Sequence, residues 1–195
     1  MRIIRAQLDT RIHDKQSEPE SDLELIASVN RGDTVAFEVL YRRYRDWVVT
    51  LACRFTGDED LALDVLQETF LYVLKKFPKF ELTSAFKTFL YPAVRNLAIA
   101  ARDKARRYQS TDAEMARVEG TAAPIQNPGG NDDVREILKG LSEEHREVLL
   151  LRFADGLDLS EIARAMDIPL GTVKSRLHNA LGILRADPKT KKYFE

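Results

Sequence analysis

"LSEIARAMDIPLGTVKSRLHNAL", residues 159–181, is the stretch on which the reading of this chain turns. After Pro169 it places Val173, Leu177 and Leu181 at i, i+4 and i+8, the spacing of a buried helical stripe. Between them Lys174, Ser175, Arg176, His178 and Asn179 point elsewhere and are rich in hydrogen-bond donors. Before it, Asp158 with Glu161 three residues on forms a capping-box start for a shorter helix. Ile162, Ala163 and Met166 of that helix are expected to pack against Val173 and Leu177, with the small Ala163 where the two helices approach. A turn through Asp167, Ile168 and Pro169 joins them, and Asp tolerates the left-handed conformation that such a turn asks for. Two short helices, a tight turn and a basic second helix describe a helix-turn-helix, whose second helix enters the major groove of DNA. There Arg and Lys pair with guanine acceptors, while Ser, His and Asn reach bases or phosphates.

Working outward, helix signals continue and strand signals are scarce. Ser142 can cap "EEHREVLLLRFAD", with two acids in its first turn, and Gly156 ends it. "DVREILKG" precedes it as another helical stretch. Towards the N-terminus, Asp22 begins a short helix ending near Gly32, and Asp33 caps a longer one that stops at Gly57. A third is expected from about Glu59 to Lys76, before Pro78, and a fourth from near Ser84 to about Arg107. Residues 109–132, with two prolines, three glycines and no apolar periodicity, read as a linker. The expected fold is therefore all-α: two small helical domains on a flexible tether. Their extents are 1–21 for an N-terminal arm, 22–108 and 133–186 for the domains, 109–132 for the linker and 187–195 for a tail.

Composition excludes several classes. Hydrophobic residues make up 44% and charged residues 31% of the 195, as in a soluble globular protein. No apolar run approaches the ~20 residues that cross a bilayer. The N-terminus lacks the apolar region of a secretory signal, so no membrane insertion and a cytoplasmic location are expected. Cys53 is the single cysteine and the histidines number three, so no disulfide framework or zinc-site spacing exists, and a buried packing role is expected for Cys53. No Gly-rich phosphate loop or Ser/His/Asp pattern supports an enzyme, and no cofactor is implied. The net charge of -1 hides an uneven distribution. Residues 57–69 carry five acids and no base, residues 84–109 six bases against one acid, and residues 171–195 six against two. Local patches of this kind govern partners more than their sum does.

Three segments converge on one family. "DVLQETF" (64–70), "FLYPAVRNLA" (89–98) and "IPLGTVKSRL" (168–177) occur in the order and separation of bacterial RNA polymerase sigma factors. The chain resembles the compact, two-domain extracytoplasmic-function group over roughly residues 22–108 and 133–186. The resemblance implies a region 2 helical bundle and a region 4 helix-turn-helix. It implies as partners the core polymerase (the clamp of the largest subunit and the flap of the second), promoter DNA and, commonly in the family, an anti-sigma factor.

Residue by residue, the resemblance carries clamp binding onto Asp64, Gln67, Glu68 and, for packing, Phe70. Independently, Asp64, Gln67, Glu68 and Leu71 lie at i, i+3, i+4 and i+7, one continuous face of an acidic helix. The resemblance gives the next segment the task of melting and reading the -10 element. That needs rings to replace base stacking, donors for an extruded base and cations for phosphate. Phe77, Phe80, Phe86, Phe89 and Tyr91 supply rings; Lys87, Arg95, Arg102, Lys104, Arg106 and Arg107 supply charge; Asn96 offers an amide. Lys87, Phe89, Arg95 and Asn96 are the central assignments, with Phe86 and Leu90 expected in the core. Phe89 stands where many relatives have Trp, and Pro92 inside the helix is expected to kink it. Reading of the -35 element falls to Thr172, Lys174, Ser175, Arg176, His178 and Asn179, Asn179 replacing a commonly basic residue.

Promoter elements two helical turns apart are ~70 Å distant, and twenty-four linker residues reach at most ~80 Å. The function implied is a sigma factor that directs promoter-specific initiation. The alternative is a two-domain helix-turn-helix regulator acting without a holoenzyme.

Overall fold

The structure, a computed structural model, describes residues 20–115, 137–187 and 190, with the backbone alone for 109–115. Residues 137–139 are helical, and seven further helices order the described residues: α1 (Asp22–Asn30), α2 (Thr34–Thr56), α3 (Glu59–Leu74), α4 (Phe86–Met115), α5 (Glu143–Phe153), α6 (Leu159–Met166) and α7 (Leu170–Ala186). No strand occurs among the described residues, in keeping with the all-α expectation. Most of the arm (residues 1–19), the linker beyond 115 and most of the tail lie outside them.

The helix boundaries follow local chemistry. Ser21 caps α1 in a reciprocal box, its Oγ accepting from the Glu24 N–H while Glu24 Oε2 accepts from the Ser21 N–H at 2.8 Å. Asp33 Oδ1 accepts from the N–H groups of Val35 (2.8 Å) and Ala36 (3.2 Å) to start α2. Gly57, at φ 72°, ends α2 in the left-handed conformation that a side chain resists. Asp58 then caps α3 through the Leu61 N–H at 2.9 Å.

Buried positions on α2 (Ala36, Leu40, Tyr44, Val48, Leu51, Ala52) form the stripe that α1, α3 and α4 cover. α3 contributes Ala62, Val65, Leu66, Phe70 and Val73, and α4 contributes Phe86, Leu90, Tyr91, Val94 and Ala98. Phe70 is edge-on to Phe37 and Tyr41, with centroids 6.3 and 4.8 Å away. These four helices form the front half.

α5, α6 and α7 form the second half. Ser142 Oγ accepts from the His145 N–H at the start of α5, and Asp158 with Glu161 closes the capping box of α6. Asp167 ends α6 at φ 53° and ψ 48°, the one non-glycine positive φ among the described residues. Ile162 and Val173 are buried, and Ala163, Met166 and Leu177 are half-buried beside them, as the helix-turn-helix reading requires.

Two features differ from the sequence reading. α4 runs to Met115, seven residues into the segment 109–132 read as linker, and carries Pro92 within it. "QSTDAEM" holds no glycine or proline, so nothing in it stops a helix. Most consequentially, the two halves are not held apart: Val148, Leu151, Leu157, Ile162, Ala165 and Val173 share one buried cluster with the front-half core.

Candidate nucleic-acid and polymerase interfaces

α3 divides its residues cleanly. The buried set faces α2 and α4, while Asp64, Gln67 and Glu68 are exposed on the other side. Leu71 joins them at 49% exposure, flanked by the exposed Leu63, Tyr72 and Leu74. Neither Asp64 nor Glu68 has an ion-pair partner among the described residues. The result is a surface of unpaired carboxylates mixed with large apolar side chains. Phe70 lies beneath it, 5% exposed, and supports the surface from inside.

On α4, Lys87, Tyr91 and Arg95 recur at i, i+4 and i+8 and so share one face. Lys87 Nζ sits 5.7 Å from the centroid of the Trp47 ring and donates to the Asp155 carbonyl at 2.8 Å. Arg95 lies over the Phe55 ring, 5.8 Å from its centroid, and its Nε donates to Glu147 Oε1 at 3.1 Å. Asn96 is exposed beside them. Arg102 is half-buried and donates to Asp103 Oδ1 at 3.3 Å, whereas Lys104, Arg106 and Arg107 are exposed.

The rings divide differently from the cations. Phe80, Phe86 and Tyr91 are buried, and Phe77 and Phe89 half-buried, so most of these rings hold the fold together. Phe89 stacks on Tyr72 of α3 at 6.0 Å, joining the two helices. The Tyr91 hydroxyl donates to Glu147. Burial, followed by the Glu147 carboxylate, raises the Tyr91 phenol well above its usual value.

On α7, Lys174, Ser175, His178 and Asn179 are exposed on one face, opposite the buried Val173, Ala180 and Leu184. Leu177 and Leu181 are only half-buried, so the inward stripe is rotated from the one read off the sequence. Thr172 is half-buried, and its carbonyl accepts from Ser175 Oγ at 3.0 Å. Arg176 stands apart from the exposed group. It lies at the border of the buried side, 20% exposed, and pairs with Glu144 at 3.0 Å. No side chain caps the start of α7, after Pro169.

Sequence reasoning missed Trp47, Arg54 and Asp155, which meet between the halves. Asp155 is 5% exposed, and its carboxylate accepts from Trp47 Nε1 at 2.8 Å and from Arg54 Nη1 and Nη2 at 2.6 and 3.1 Å. One signal was available. A carboxylate just beyond a helix C-terminus opposes the helix dipole, which calls for a cationic partner elsewhere.

Among the described residues no group of three or more His, Cys, Asp or Glu could hold a metal ion, and no helix is long and apolar enough to cross a membrane.

Comparison with known proteins matches residues 40–108 to Sigma-70 region 2 and residues 137–186 to Sigma-70, region 4. The ECF RNA polymerase sigma-E factor of Escherichia coli is 35% identical over 179 residues, covering 84% of this chain and 92% of that one. The ECF RNA polymerase sigma factor SigW of Bacillus subtilis is 32% identical over 174 residues, covering 82% and 92%. Among solved structures, CnrH in complex with the cytosolic domain of CnrY aligns with a TM-score of 0.61 at 24% identity, over 86% of this chain and 96% of that one. The sigma factor RpoE in complex with the anti-sigma factor NepR, from Bartonella quintana, aligns with a TM-score of 0.56 at 25% identity, over 76% and 94%. With both regions present in order and relatives matched over nearly their whole length, the chain belongs to the ECF family of RNA polymerase sigma factors.

Proposed function

We propose that this chain binds core RNA polymerase through the outer face of α3 and directs it to promoters. In this reading the front half, from residue 22 into α4, melts and reads the -10 element, and the second half reads the -35 element. The observation that carries it is the unpaired acidic and apolar surface of α3, in the same chain as two separate cationic helix faces. Unpaired carboxylates beside exposed leucines suit a basic, partly apolar partner surface. A DNA-binding regulator acting alone has no use for that surface.

Lys87, Arg95 and Asn96 provide the phosphate and base-edge chemistry for an opened strand, with Lys104, Arg106 and Arg107 continuing the charge along α4. Phe89, anchored on Tyr72, presents its ring at the boundary of that face. On α7, Lys174, Ser175, His178 and Asn179 face outward for the major groove, with Thr172 near the open helix start where a phosphate is favoured. The protein performs no covalent chemistry of its own. The complex of RpoE with the anti-sigma factor NepR supports a protein antagonist as a further partner.

The test is reconstitution. The purified chain is added to sigma-free core polymerase on a genomic promoter library and the transcripts are sequenced. Discrete start sites sharing two upstream elements are expected. Binding to duplex DNA with no stable holoenzyme and no specific transcript would favour the lone regulator.

A further inference from the structure

Three cations gather where α1 and α3 end, and neither the α3 surface nor the two reading faces uses them. The Asn30 side chain bonds both the N–H and the carbonyl of Phe80. That clip brings Arg31, at the end of α1, beside Lys79 in the segment between α3 and α4. Lys76 follows one turn after Tyr72, and its Nζ lies 4.6 Å from the centroid of the Tyr72 ring. The same ring stacks on Phe89 of α4. Arg31, Lys76 and Lys79 are all exposed, and none has an ion-pair partner among the described residues. Arg31 gives one nitrogen to Ser28 Oγ at 2.9 Å, which leaves its charge unopposed. Glu81 is the one acid in residues 75–85. Exposed cations repel one another weakly in water, and a polyanion laid across them removes that repulsion. The Tyr72 ring orients the Lys76 ammonium without neutralising it.

We propose that Arg31, Lys76 and Lys79 form a phosphate track for the opened DNA strand beyond the -10 element, on its way towards the start site. This rests on the reading of α4 as the holder of that strand. Phe89 and Asn96 lie at i and i+7, one face of α4. A strand that meets Asn96 and then Phe89 arrives at Lys76 through the Tyr72 stack. The direction follows from the order of the chain. The C-terminal end of α4 leads into the segment that reaches the upstream -35 element, so its N-terminal end and the three cations face downstream. Lysines are point charges on flexible stems, suited to following a single strand whose phosphates hold no fixed spacing. Such a track reads no sequence. It gains contacts only once the duplex is open, so it shifts the promoter towards its melted state.

The experiment uses holoenzyme and two fork DNAs built from a promoter recovered by transcript sequencing. One fork carries a single-stranded extension past the -10 element, and the other is trimmed at the end of that element. Arg31→Gln/Lys76→Gln/Lys79→Gln is expected to bind the extended fork roughly tenfold more weakly at low salt and the trimmed fork as the native chain does. Its salt dependence on the extended fork should fall by about two units of slope, the effect of three lost phosphate contacts on a single strand. If the triple variant loses helicity, Lys76→Gln/Lys79→Gln carries the same comparison with a smaller change. Undiminished binding of the extended fork by a folded variant overturns the track. Equal loss on both forks also overturns it, because the cations would then serve polymerase or the -10 element itself. Asn96→Ala on the trimmed fork tests the α4 reading separately: weakened binding there supports that reading whatever becomes of the track, and unchanged binding removes the strand on which the track depends.

Discussion

Asn30 and Phe80 are bonded in both directions: Asn30 Nδ2 donates to the Phe80 carbonyl at 2.9 Å, and the Phe80 N–H donates to Asn30 Oδ1 at 3.1 Å. One amide at the end of α1 thus holds the segment between α3 and α4 as a backbone partner would. Phe80, buried among Phe77, Phe86 and Phe89, is fixed by the same clip. Asn30→Ala removes both bonds and leaves a part-buried N–H and carbonyl without them. The expected loss is about 1–3 kcal/mol of folding stability, read by urea unfolding. Asn30→Asp keeps the acceptor and loses the donor, so it should fall between the two.

The two buried phenols set an alkaline limit. Tyr44, donating to Asp22, is raised above the usual phenol value mainly by burial and then by that hydrogen bond; Tyr91 is raised by burial and then by Glu147. Below the unfolded value of 10.0 both are protonated whether the chain is folded or not, and their contribution is fully present. As the pH rises beyond it, the unfolded chain releases these protons while the folded chain retains them, so stability falls. Urea midpoints measured across this range should decline, and Tyr44→Phe should flatten part of the decline. A midpoint independent of pH there would contradict the burial of both rings.

Lys174 tests the outward face of α7. It is exposed and stands near the start of the reading helix, so Lys174→Ala should weaken binding of the holoenzyme to -35 duplex DNA nearly uniformly across sequences. Removing one phosphate contact lowers the salt dependence of binding by about one unit of slope. Arg176→Ala, at the border of the face and paired with Glu144, should weaken selection of the upstream element and leave core binding intact. Titration of labelled duplex at several salt concentrations distinguishes the two.

What the sequence made legible was local. Ser142, Asp33, Asp158 and Gly57 announced helix ends because a cap or a left-handed residue acts within one turn. The turn at Asp167 was readable for the same reason. The outward face of α3 was readable because helical spacing alone fixes which residues share a side. Contacts between distant segments were not. Asp155 meets Arg54 across 101 positions, and no periodicity encodes such a pairing. The missed length of α4 has a simpler cause: the prolines and glycines of the segment 109–132 begin only at Gly120, and composition taken over the whole segment concealed seven helical residues at its start. Rings were misleading individually, since a Phe suited to stacking on a base is equally suited to stacking on another Phe.

The most direct measurement is the affinity of the full chain for core RNA polymerase, compared with that of Asp64→Ala/Glu68→Ala. Both residues are exposed on α3 and support no other part of the fold, so the double variant should retain its helicity and its unfolding midpoint. Loss of two interfacial carboxylates is expected to weaken holoenzyme formation by roughly tenfold or more, with the exposed α7 face still binding duplex DNA. Undiminished binding to core polymerase by the folded double variant would contradict the account.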